Sequence, residues 1–283
     1  MKKKKHTLLK LGLCVPALLV WGVLWCMAAG ALTGSAELHA ALGPALGGTG
    51  QGYASWPLLP DAPTLQPLLE LTLDTPQFFV MFWNTCRLVL PQILGQVAVG
   101  APAAWAFSRL RFPGRKVLFG LYIVLMLLPF QVTMVPNYLV LDALGLMDTV
   151  WAIILPGIFS TFPVFIMAKS FDAVPISLLE AASLDGAGPF QTFVRVGLPL
   201  GVPGILSAVV LGFLEAWNAI EQPMTFLKTP SLWPLALYLP QIATSALALA
   251  MASSLVMLAP AVLIFLFGQK YLELGIQASG LKE

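Results

Sequence analysis

Charge is scarce in this chain of 283 residues. Only 10% of its residues are Asp, Glu, Lys or Arg, whereas soluble globular proteins carry about 25%. Hydrophobic residues make up 58% of the sequence, and the formal net charge is only +2. So few charged side chains are not typical of a water-soluble fold of this length. The composition therefore excludes an ordinary soluble domain and indicates that lipid surrounds most of the chain.

Residues that carry chemistry are equally rare. The only histidines are His6 and His39, and neither has a cysteine or carboxylate at ligand spacing. Cys14 and Cys26 would lie about 18 Å apart on one helix, beyond disulfide reach, so these two and Cys86 are predicted to be small buried apolar residues. The chain lacks a GxxxxGK[ST] nucleotide loop and the HExxH and GxSxG motifs. We expect no catalytic residue, metal site, cofactor or nucleic-acid partner.

Apolar runs of span length dominate what is present. A helix needs about 20 apolar residues to cross a bilayer, and the sequence predicts an all-α polytopic membrane protein with six transmembrane helices. The six predicted spans are 11–32, 82–106, 117–140, 150–168, 201–221 and 243–268. The charge-free stretch 229–269 is long enough for two crossings, but Pro230, Pro234 and Pro240 favour a loop or a re-entrant segment over 229–242.

Basic residues indicate the orientation. Lys and Arg cluster before the first span, between the second and third, around residues 169–195 and after the last span. The positive-inside rule therefore predicts a cell-membrane protein with both termini cytoplasmic. Residues 1–75 are expected to hold a cytoplasmic tail, an uncleaved anchor and a Gly- and Pro-rich extracytoplasmic loop that continues to about residue 80 with little regular structure. A cleaved signal peptide ending near Ala29-Gly30-Ala31 would leave five spans.

One polar stretch, "LLEAASLDGAGPFQTFVRVGLPL" from Leu178 to Leu200, interrupts the apolar pattern. Ser177 and Glu180 have the spacing of a capping box, which predicts a helix from Leu178 to the turn at Asp185-Gly186. Pro189 suits the first position of a second short helix, closed by Gly197 and Pro199. The stretch is thus predicted to be a helical hairpin, residues 178–199, hereafter the hairpin.

Helices this short are marginal in water unless they dock on another surface. Each helix of the hairpin has an apolar stripe at helical spacing: Leu178, Leu179 and Ala182 on the first, Phe190, Phe193 and Val194 on the second. Periodicity alone leaves two interpretations open. The stripes could lie on the membrane or on the chain's own helix bundle, or they could bind a partner protein.

Polar residues near or inside the predicted spans are candidates for a solute pathway or for helix packing. The full set is Asn84, Arg87, Gln92, Gln96, Gln131, Asn137, Glu215, Asn218 and Glu221, of which Asn84, Gln131, Glu215, Asn218 and Glu221 are the main candidates. Hydrogen bonds between helices are the alternative role for each of them. Trp105, Trp151 and Trp217 near predicted span ends are expected to be interface anchors.

The hairpin resembles the EAA signature of permease subunits of ATP-binding-cassette importers. Glu180-Ala181-Ala182 is followed after three residues by Gly186, and after nine more by Val196, one residue and Leu198-Pro199. Valine at 196 stands where the family usually has isoleucine. The stretches "FWNTCRLVL", "AWAFSRLRFPGR", "LPFQVTMVPNYLVLDALGLMDT" and "FLEAWNAIEQPM" are similar to the carbohydrate branch, the maltose-permease-like second subunit. The resemblance covers about residues 75–283.

The resemblance implies a permease domain over 76–283, with five spans, a coupling loop at 171–200 between spans four and five, and a cytoplasmic tail. It assigns ATPase coupling to Glu180, Ala181, Ala182, Asp185, Gly186, Val196, Leu198 and Pro199. It also implies four partners besides lipid: a second permease subunit, two cytoplasmic ATPase subunits on which ATP is hydrolysed, and an extracytoplasmic solute-binding protein.

The function implied is import of a solute, a sugar by similarity to the carbohydrate branch. An importer of a non-sugar solute is one alternative. An ion-coupled secondary transporter is another, and it should show inverted repeats and carboxylates within its spans. Only Glu215 and Glu221 are acidic residues near a span interior, and no repeat is evident. An intramembrane enzyme has the least support, because the catalytic motifs are missing.

Overall fold

The structure, a computed structural model, describes residues 2–46, 53–56, 58–238 and 246–280. These residues contain helices and turns and no strand. In chain order the α-helices are α1 Lys2–Ala31, α2 Ser35–Leu42, α3 Gln66–Leu69, α4 Pro76–Arg109, α5 Arg115–Met126, α6 Phe130–Ala143, α7 Trp151–Ile158, α8 Thr161–Asp172, α9 Ile176–Leu184, α10 Pro189–Thr192, α11 Leu198–Trp217, α12 Glu221–Phe226 and α13 Leu247–Gly280.

Five helical segments among the described residues are long and apolar enough to cross a membrane. They are Cys14–Ala31, Pro76–Arg109, Trp151–Asp172, Pro189–Trp217 and Leu247–Leu274. A bent pair, α5 with α6, is a sixth candidate if the two helices count as one span. The fold class predicted from the sequence, an all-α polytopic membrane protein, is confirmed.

The third predicted span is not a continuous helix. A bend of 106° separates α5 from α6, whereas the sequence predicted one helix over 117–140. Pro129 lies at the start of α6 with an extended ψ of 153°. Proline disfavours helical geometry in the residue before it and lacks the N–H that would continue the helix, so the chain bends at this point.

The segment 33–80 contains more helix than predicted, because α2, α3 and the start of α4 lie within it. Helix α2 buries Leu38 and Leu42 in a small apolar cluster with Ala248, and the Thr64 N–H donates to the carbonyl of Leu32. The expectation of little regular structure is therefore wrong for 35–46 and 66–80. Leu38 and Leu42 are four residues apart, a spacing that places both on one face of a helix. The many Gly and Pro residues of the segment led to the prediction of a loop instead.

Contacts divide the chain into two units. One comprises Met1–Val80 and Tyr238–Ala259, and the other comprises Met81–Leu237 and Pro260–Glu283. The second unit contains the hairpin and most of the polar residues predicted to lie within spans. The segment 229–238 forms two short 3-10 turns, Pro230–Leu232 and Leu235–Leu237, followed after the undescribed residues 239–245 by the single long helix α13. The loop or re-entrant prediction for 229–242 partly falls on residues outside the described ones.

The core of the second unit is built where α11 packs on α8. Gly197, Gly201 and Gly204 form one side of the helical segment, hereafter the glycine face. A Cβ added at Gly201 would lie 2.2 Å from Cε1 of Phe171, and one at Gly204 would lie 2.1 Å from Cβ of Ser170. Small residues at this spacing allow two membrane helices to approach closely and gain packing energy.

Two predictions about burial are wrong. Trp105 and Trp217 are 5% and 3% exposed and pack inside the second unit, where the sequence predicted interface anchors; only Trp151, 50% exposed, is open to its surroundings. All three cysteines are free, and Cys14 is exposed rather than buried. In both cases the sequence identified an apolar environment, but it could not show whether protein or lipid supplies it.

A methyl group added at the glycine face should destabilise the protein, whereas one added at an open glycine should not. Gly201→Ala should destabilise the protein by about 1–3 kcal/mol, because the new Cβ overlaps the buried ring of Phe171. The matched control is Gly120→Ala in α5, where an added Cβ meets no atom within 4 Å and the change should be neutral or slightly stabilising. Thermal melting of the detergent-solubilised protein checks both. Equal melting temperatures for the two variants would contradict the packing argument.

Candidate functional site

The first helix of the hairpin, α9, begins at Ile176. Pro175 is its N-cap residue, with φ −60° and ψ 132°, and no side chain caps the helix. The predicted capping box of Ser177 and Glu180 is therefore wrong. The helix starts two residues earlier than expected, so Ser177 lies inside the first turn, where its hydroxyl is no longer at the N-cap position.

The turn of the hairpin is a Schellman motif. Gly186 has φ +79°, its N–H donates to the carbonyl of Ser183 at 3.1 Å, and the Ala187 N–H donates to the carbonyl of Ala182 at 2.9 Å. These two bonds satisfy carbonyls that the end of α9 would leave open. The predicted glycine turn at 185–186 is confirmed, and its physical basis is the left-handed backbone that glycine adopts without strain.

The second helix of the hairpin does not end where predicted. Gly188 precedes Pro189 at the first position of α10, as expected, but the helix then passes through a π-turn at Phe193–Gly197 into α11. The Leu198 N–H donates to the carbonyl of Phe193, five residues earlier. Pro199 has no N–H to donate, and the wider turn accommodates this loss. Gly197 and Pro199 thus join the hairpin to the fifth span instead of closing it.

Contacts with α4 hold the base of the hairpin. The Arg109 guanidinium at the end of α4 donates to the carbonyls of Phe171, at 3.0 Å from Nε, and of Val174. The Ser108 hydroxyl donates to the Asp172 carboxylate at 2.7 Å. Because charged donors to carbonyls are strong hydrogen bonds, these contacts fix the point where α8 leads into the hairpin.

An aromatic cluster holds the second helix of the hairpin. Phe193 is buried, with its ring 5.6 Å from that of Trp105 and 6.3 Å from that of Phe171, centroid to centroid. Leu179 of α9 packs against the same cluster. The hairpin is therefore attached through both of its helices to one core.

The rest of the hairpin surface is open. Of the residues assigned to coupling, Glu180, Ala181, Asp185, Gly186 and Pro199 are exposed, and Ala182, Val196 and Leu198 are half-buried. Within the described chain Glu180 has no hydrogen-bond or ion-pair partner. Several large apolar side chains are also exposed: Ile176 63%, Leu178 44%, Leu184 89%, Phe190 75% and Val194 41%. Only Phe193 and Leu179 of the two predicted stripes face the protein core directly.

A second feature of the same unit is a cavity of about 520 Å³, hereafter the polar cavity. Its polar lining includes Thr85, Gln92, Gln96, Asn137, Ser160, Thr161, Glu215, Glu221 and Gln222. Helices α4, α6 and α11 contribute to it, together with the break between α7 and α8 at 159–160. Irregular backbone within apolar helical segments is tolerated where it lines such a cavity.

Arg87 is exposed and does not line the polar cavity, and the other sequence-predicted polar residues separate into two groups. Gln92, Gln96, Asn137, Glu215 and Glu221 line the polar cavity, and Gln131 joins it by donating to the Glu221 carboxylate at 2.8 Å. Gln96 also donates to the carbonyl of Gly157 at 2.9 Å. The structure thus brings together residues that are more than 100 positions apart in the sequence.

Asn84 and Asn218 donate hydrogen bonds to backbone carbonyls instead. The Asn84 amide donates to the carbonyls of Ser231 and Trp233, at 2.7 and 3.1 Å, and holds the segment 230–237. The Asn218 amide, directly after α11, donates to the carbonyl of Leu214 at 2.8 Å, four residues earlier. For Asn84 the geometry favours the packing role, whereas the bond of Asn218 joins no second helix.

Sequence reasoning missed a polar clamp outside the spans. The Asp148 carboxylate accepts hydrogen bonds from the N–H groups of Lys228 and Thr229, both at 2.8 Å, and from the Thr229 hydroxyl. Asp148 itself has φ +57°, a conformation uncommon outside glycine, asparagine and aspartate. The available signal was an aspartate in a short connection, which predicts local hydrogen bonds but not a partner 80 residues away.

The geometry defines a class of protein: a polytopic membrane protein with a polar cavity and a partly exposed helical hairpin anchored to its core. Comparison with known proteins is consistent with this class. Residues 96–277 match the family described as "Binding-protein-dependent transport system inner membrane component". The chain belongs to this family and is a permease subunit of an ATP-binding-cassette importer, so the secondary-transporter alternative is not favoured.

Three similar proteins illustrate the relationship. A "Probable ABC transporter permease protein" of Pyrococcus horikoshii is 33% identical over 226 residues, which is 76% of this chain and 80% of that protein. The arabinooligosaccharides transport system permease protein AraQ of Halalkalibacterium halodurans is 25% identical, over 79% of this chain and 81% of that one. A crystal structure of a bacterial ABC transporter involved in the import of the acidic polysaccharide alginate matches with a TM-score of 0.80 at 20% identity, over 95% and 96% of the chains.

Similarity to permease subunits also bears on enzymatic activity. In this transporter family the ATPase is a separate subunit. Among the described residues, no group of three or more His, Cys, Asp and Glu side chains is arranged to hold a metal ion.

The clamp at Asp148 predicts a pH-dependent stability. The Thr229 hydroxyl, followed by the Thr229 N–H, lowers the pKa of Asp148 below its usual value. A depressed carboxyl pKa stabilises the fold above the unfolded-state pKa of about 3.9, and this contribution is lost as pH falls through the lower folded-state value. Asp148→Asn should therefore lower the melting temperature by a constant amount above about pH 5. The difference in melting temperature between the variant and the unmodified protein should shrink below about pH 4. Asparagine tolerates the positive φ, so the backbone is kept.

The control for this experiment is Asp142→Asn. Asp142 is exposed near the end of α6, and its carboxylate accepts no hydrogen bond from any described residue. Its replacement should leave the melting temperature unchanged across the same pH range. A gap for Asp148→Asn that persists unchanged at pH 3 would contradict the proposed contribution of the ionised carboxylate.

Proposed function

We propose that this chain forms half of the translocation pathway of a sugar importer and transmits ATPase motion to it through the hairpin. Two features support the choice of solute class. The polar cavity presents amides, hydroxyls and carboxylates together with the rings of Phe130 and Phe159, which are groups that bind hydroxyl-rich molecules. One relative of similar length is named for arabinooligosaccharide transport.

The observation that carries the coupling role is the exposed surface of the hairpin. Leu184 and Phe190 are 89% and 75% exposed on either side of the Schellman turn. Glu180, one helical turn before Leu184, forms no hydrogen bond or ion pair with any described residue. Large apolar side chains next to a charge are typical of a surface that binds another protein. We propose that two cytoplasmic ATPase subunits bind this surface and its counterpart on a second permease subunit.

In this proposal Glu180 forms a polar or ionic contact with the ATPase, and Asp185 lies beside it at the end of α9. Ala181 and Ala182 allow a close approach of the partner, and Gly186 forms the turn. Val196, Leu198 and Pro199 act differently, since they lie where α10 continues into α11.

Motion of the hairpin is transmitted because its base is rigid. Arg109 ties the start of the hairpin to α4, and the glycine face ties α11 to α8. Packed helices of this kind move as bodies and do not deform continuously, so displacement of the hairpin shifts the spans that follow it. The polar cavity is lined by α4 and α11, two of the elements attached to this base.

The proposed topology follows the charge pattern. Basic residues of the α4–α5 connection, the hairpin and both termini lie on the cytoplasmic side, and Asp148 and Lys228 lie on the opposite side, where a solute-binding protein would dock. Contacts within the second unit support this grouping, since Arg109 meets the start of the hairpin and Asp148 meets Lys228. We assign residues 1–75 to a tail, anchor and extracytoplasmic loop and 76–283 to the permease domain, in the inner membrane.

The topology can be tested with single cysteines in a chain whose natural cysteines are replaced. A membrane-impermeant maleimide added to intact cells should label Lys228→Cys but not Ser183→Cys, and both should react after the membrane is permeabilised. Ser183 and Lys228 are both exposed, so accessibility within the protein does not separate them. Labelling of Ser183→Cys in intact cells would place the hairpin on the wrong side for ATPase binding.

The coupling role predicts a matched pair of leucine variants. Leu184→Asp should reduce copurification of the ATPase at least about tenfold, because it places a charge in the apolar part of the interface. Leu144→Asp, directly after α6 and 64% exposed, is the control and should leave ATPase copurification unchanged. Glu180→Lys should keep the protein in the membrane but uncouple sugar uptake from ATP hydrolysis. Normal ATPase binding and uptake in both hairpin variants would contradict the coupling role.

A further inference from the structure

Three polar side chains in the polar cavity have no partner in the described chain. Gln92 of α4, Asn137 of α6 and Glu215 of α11 form no hydrogen bond or ion pair with any described residue. None of the three is buried: Gln92 and Asn137 are half-buried and Glu215 is exposed, and no buried side-chain nitrogen or oxygen among the described residues lacks a hydrogen-bond partner. Three predominantly apolar helices thus present accessible polar groups to one cavity, where these groups can bind a solute or water that the solute displaces.

Acidic residues are the only ionisable ones in the described lining of the cavity. Glu215 and Glu221 line it, and no Lys, Arg or His is among the described residues that do so. Gln131 holds the Glu221 carboxylate through one oxygen, at 2.8 Å, which leaves the other oxygen free to accept a hydrogen bond. In a cavity with apolar walls, charges of one sign repel anions and attract hydrogen-bond donors and cations.

The lining also contains two aromatic rings, which suit a sugar ligand. The Phe130 ring is fixed by an edge contact with Phe226, 5.9 Å between centroids, and Phe159 is 62% exposed at the break between α7 and α8. A sugar ring has apolar C–H faces and a rim of hydroxyls, so it can pack on a ring while its hydroxyls donate to carboxylates and amides. The volume of about 520 Å³ lies in the range of small-molecule sites.

We propose that the polar cavity is a solute subsite within this chain for one uncharged, hydroxyl-rich sugar unit, and that Glu215 and Glu221 exclude acidic sugars from it. Gln92 and Asn137 bind hydroxyls as donors and acceptors, and the two carboxylates accept from vicinal hydroxyl pairs. The sugar part of this assignment rests on the proposed function, whereas the charge selectivity follows from the lining alone.

The charge selectivity is tested without any sugar. Ser160 lines the cavity, so Ser160→Cys, in a chain with Cys14, Cys26 and Cys86 replaced by alanine, serves as a reporter in the complete transporter complex. Its modification rates are measured with a cationic methanethiosulfonate (ethyltrimethylammonium) and an anionic one (ethylsulfonate), each normalised to its rate with a free thiol. The cationic reagent should react at least about fivefold faster. The combined change Glu215→Gln and Glu221→Gln should bring the ratio close to one, whereas Asp142→Asn should leave it unchanged.

The sugar unit is tested in the same complex by protection and uptake. A neutral arabinooligosaccharide, supplied with the loaded binding protein, should slow the modification of Ser160→Cys, and an oligogalacturonate should not. Gln92→Leu and Asn137→Leu should reduce uptake of the neutral sugar while ATPase copurification stays normal, and Gln92→Glu should reduce it less than Gln92→Leu because a carboxylate still accepts hydrogen bonds from hydroxyls.

The outcomes separate the two proposals. If the complex imports sugar, any one of three results overturns the subsite and leaves the importer function standing. These results are a reagent ratio of one, no reaction of Ser160→Cys with either reagent, and no protection by sugar. If the complex imports no sugar while the cationic preference and its loss in the double variant are observed, the sugar function is overturned and the anion-excluding cavity stands.

Discussion

The close packing of the glycine face of α11 against α8 is the contact on which the rest of the second unit depends. Without a Cβ at Gly201, the ring of Phe171 lies directly on the backbone of α11, and Trp105 and Phe193 fill the space beside it. In lipid there is little hydrophobic drive between helices, so such van der Waals contact is a main source of helix association. The hairpin joins the two helices at one end of this contact, since α8 leads into it and α11 leads out of it.

Arg109 adds a polar constraint at the same place. Its guanidinium donates to two carbonyls at the end of α8, and the neighbouring Ser108 hydroxyl donates to Asp172. The carbonyls at a helix end lack partners within the helix, and a charged donor from another helix satisfies them. A close apolar contact and a charged hydrogen bond together hold the base of the hairpin, while the turn around Gly186 is exposed.

The polar cavity differs from the closely packed base of the hairpin. Its lining includes the helix break at 159–160, Phe130 directly after the break at 127–129, and polar side chains that form no hydrogen bond with another described residue. Such groups are unfavourable in a closed apolar bundle, so their retention is understandable in a protein that transports a polar molecule. In the proposed function, the base of the hairpin connects the surface that binds the ATPase to the cavity that binds the solute.

The sequence by itself determined the elements whose cause is local. Charge-free runs defined five of the six spans, and Asp185-Gly186 defined the turn, because helix length and glycine conformation depend on neighbouring residues only. Tertiary structure decided the rest. Ser177 does not cap α9, Pro199 does not end the hairpin, and Gln92, Asn137 and Glu215 share one cavity, because each outcome depends on packing between residues far apart in the chain. The same apolar residue suits lipid or protein equally well, so only the folded chain shows that Trp105 is core and Leu184 is surface.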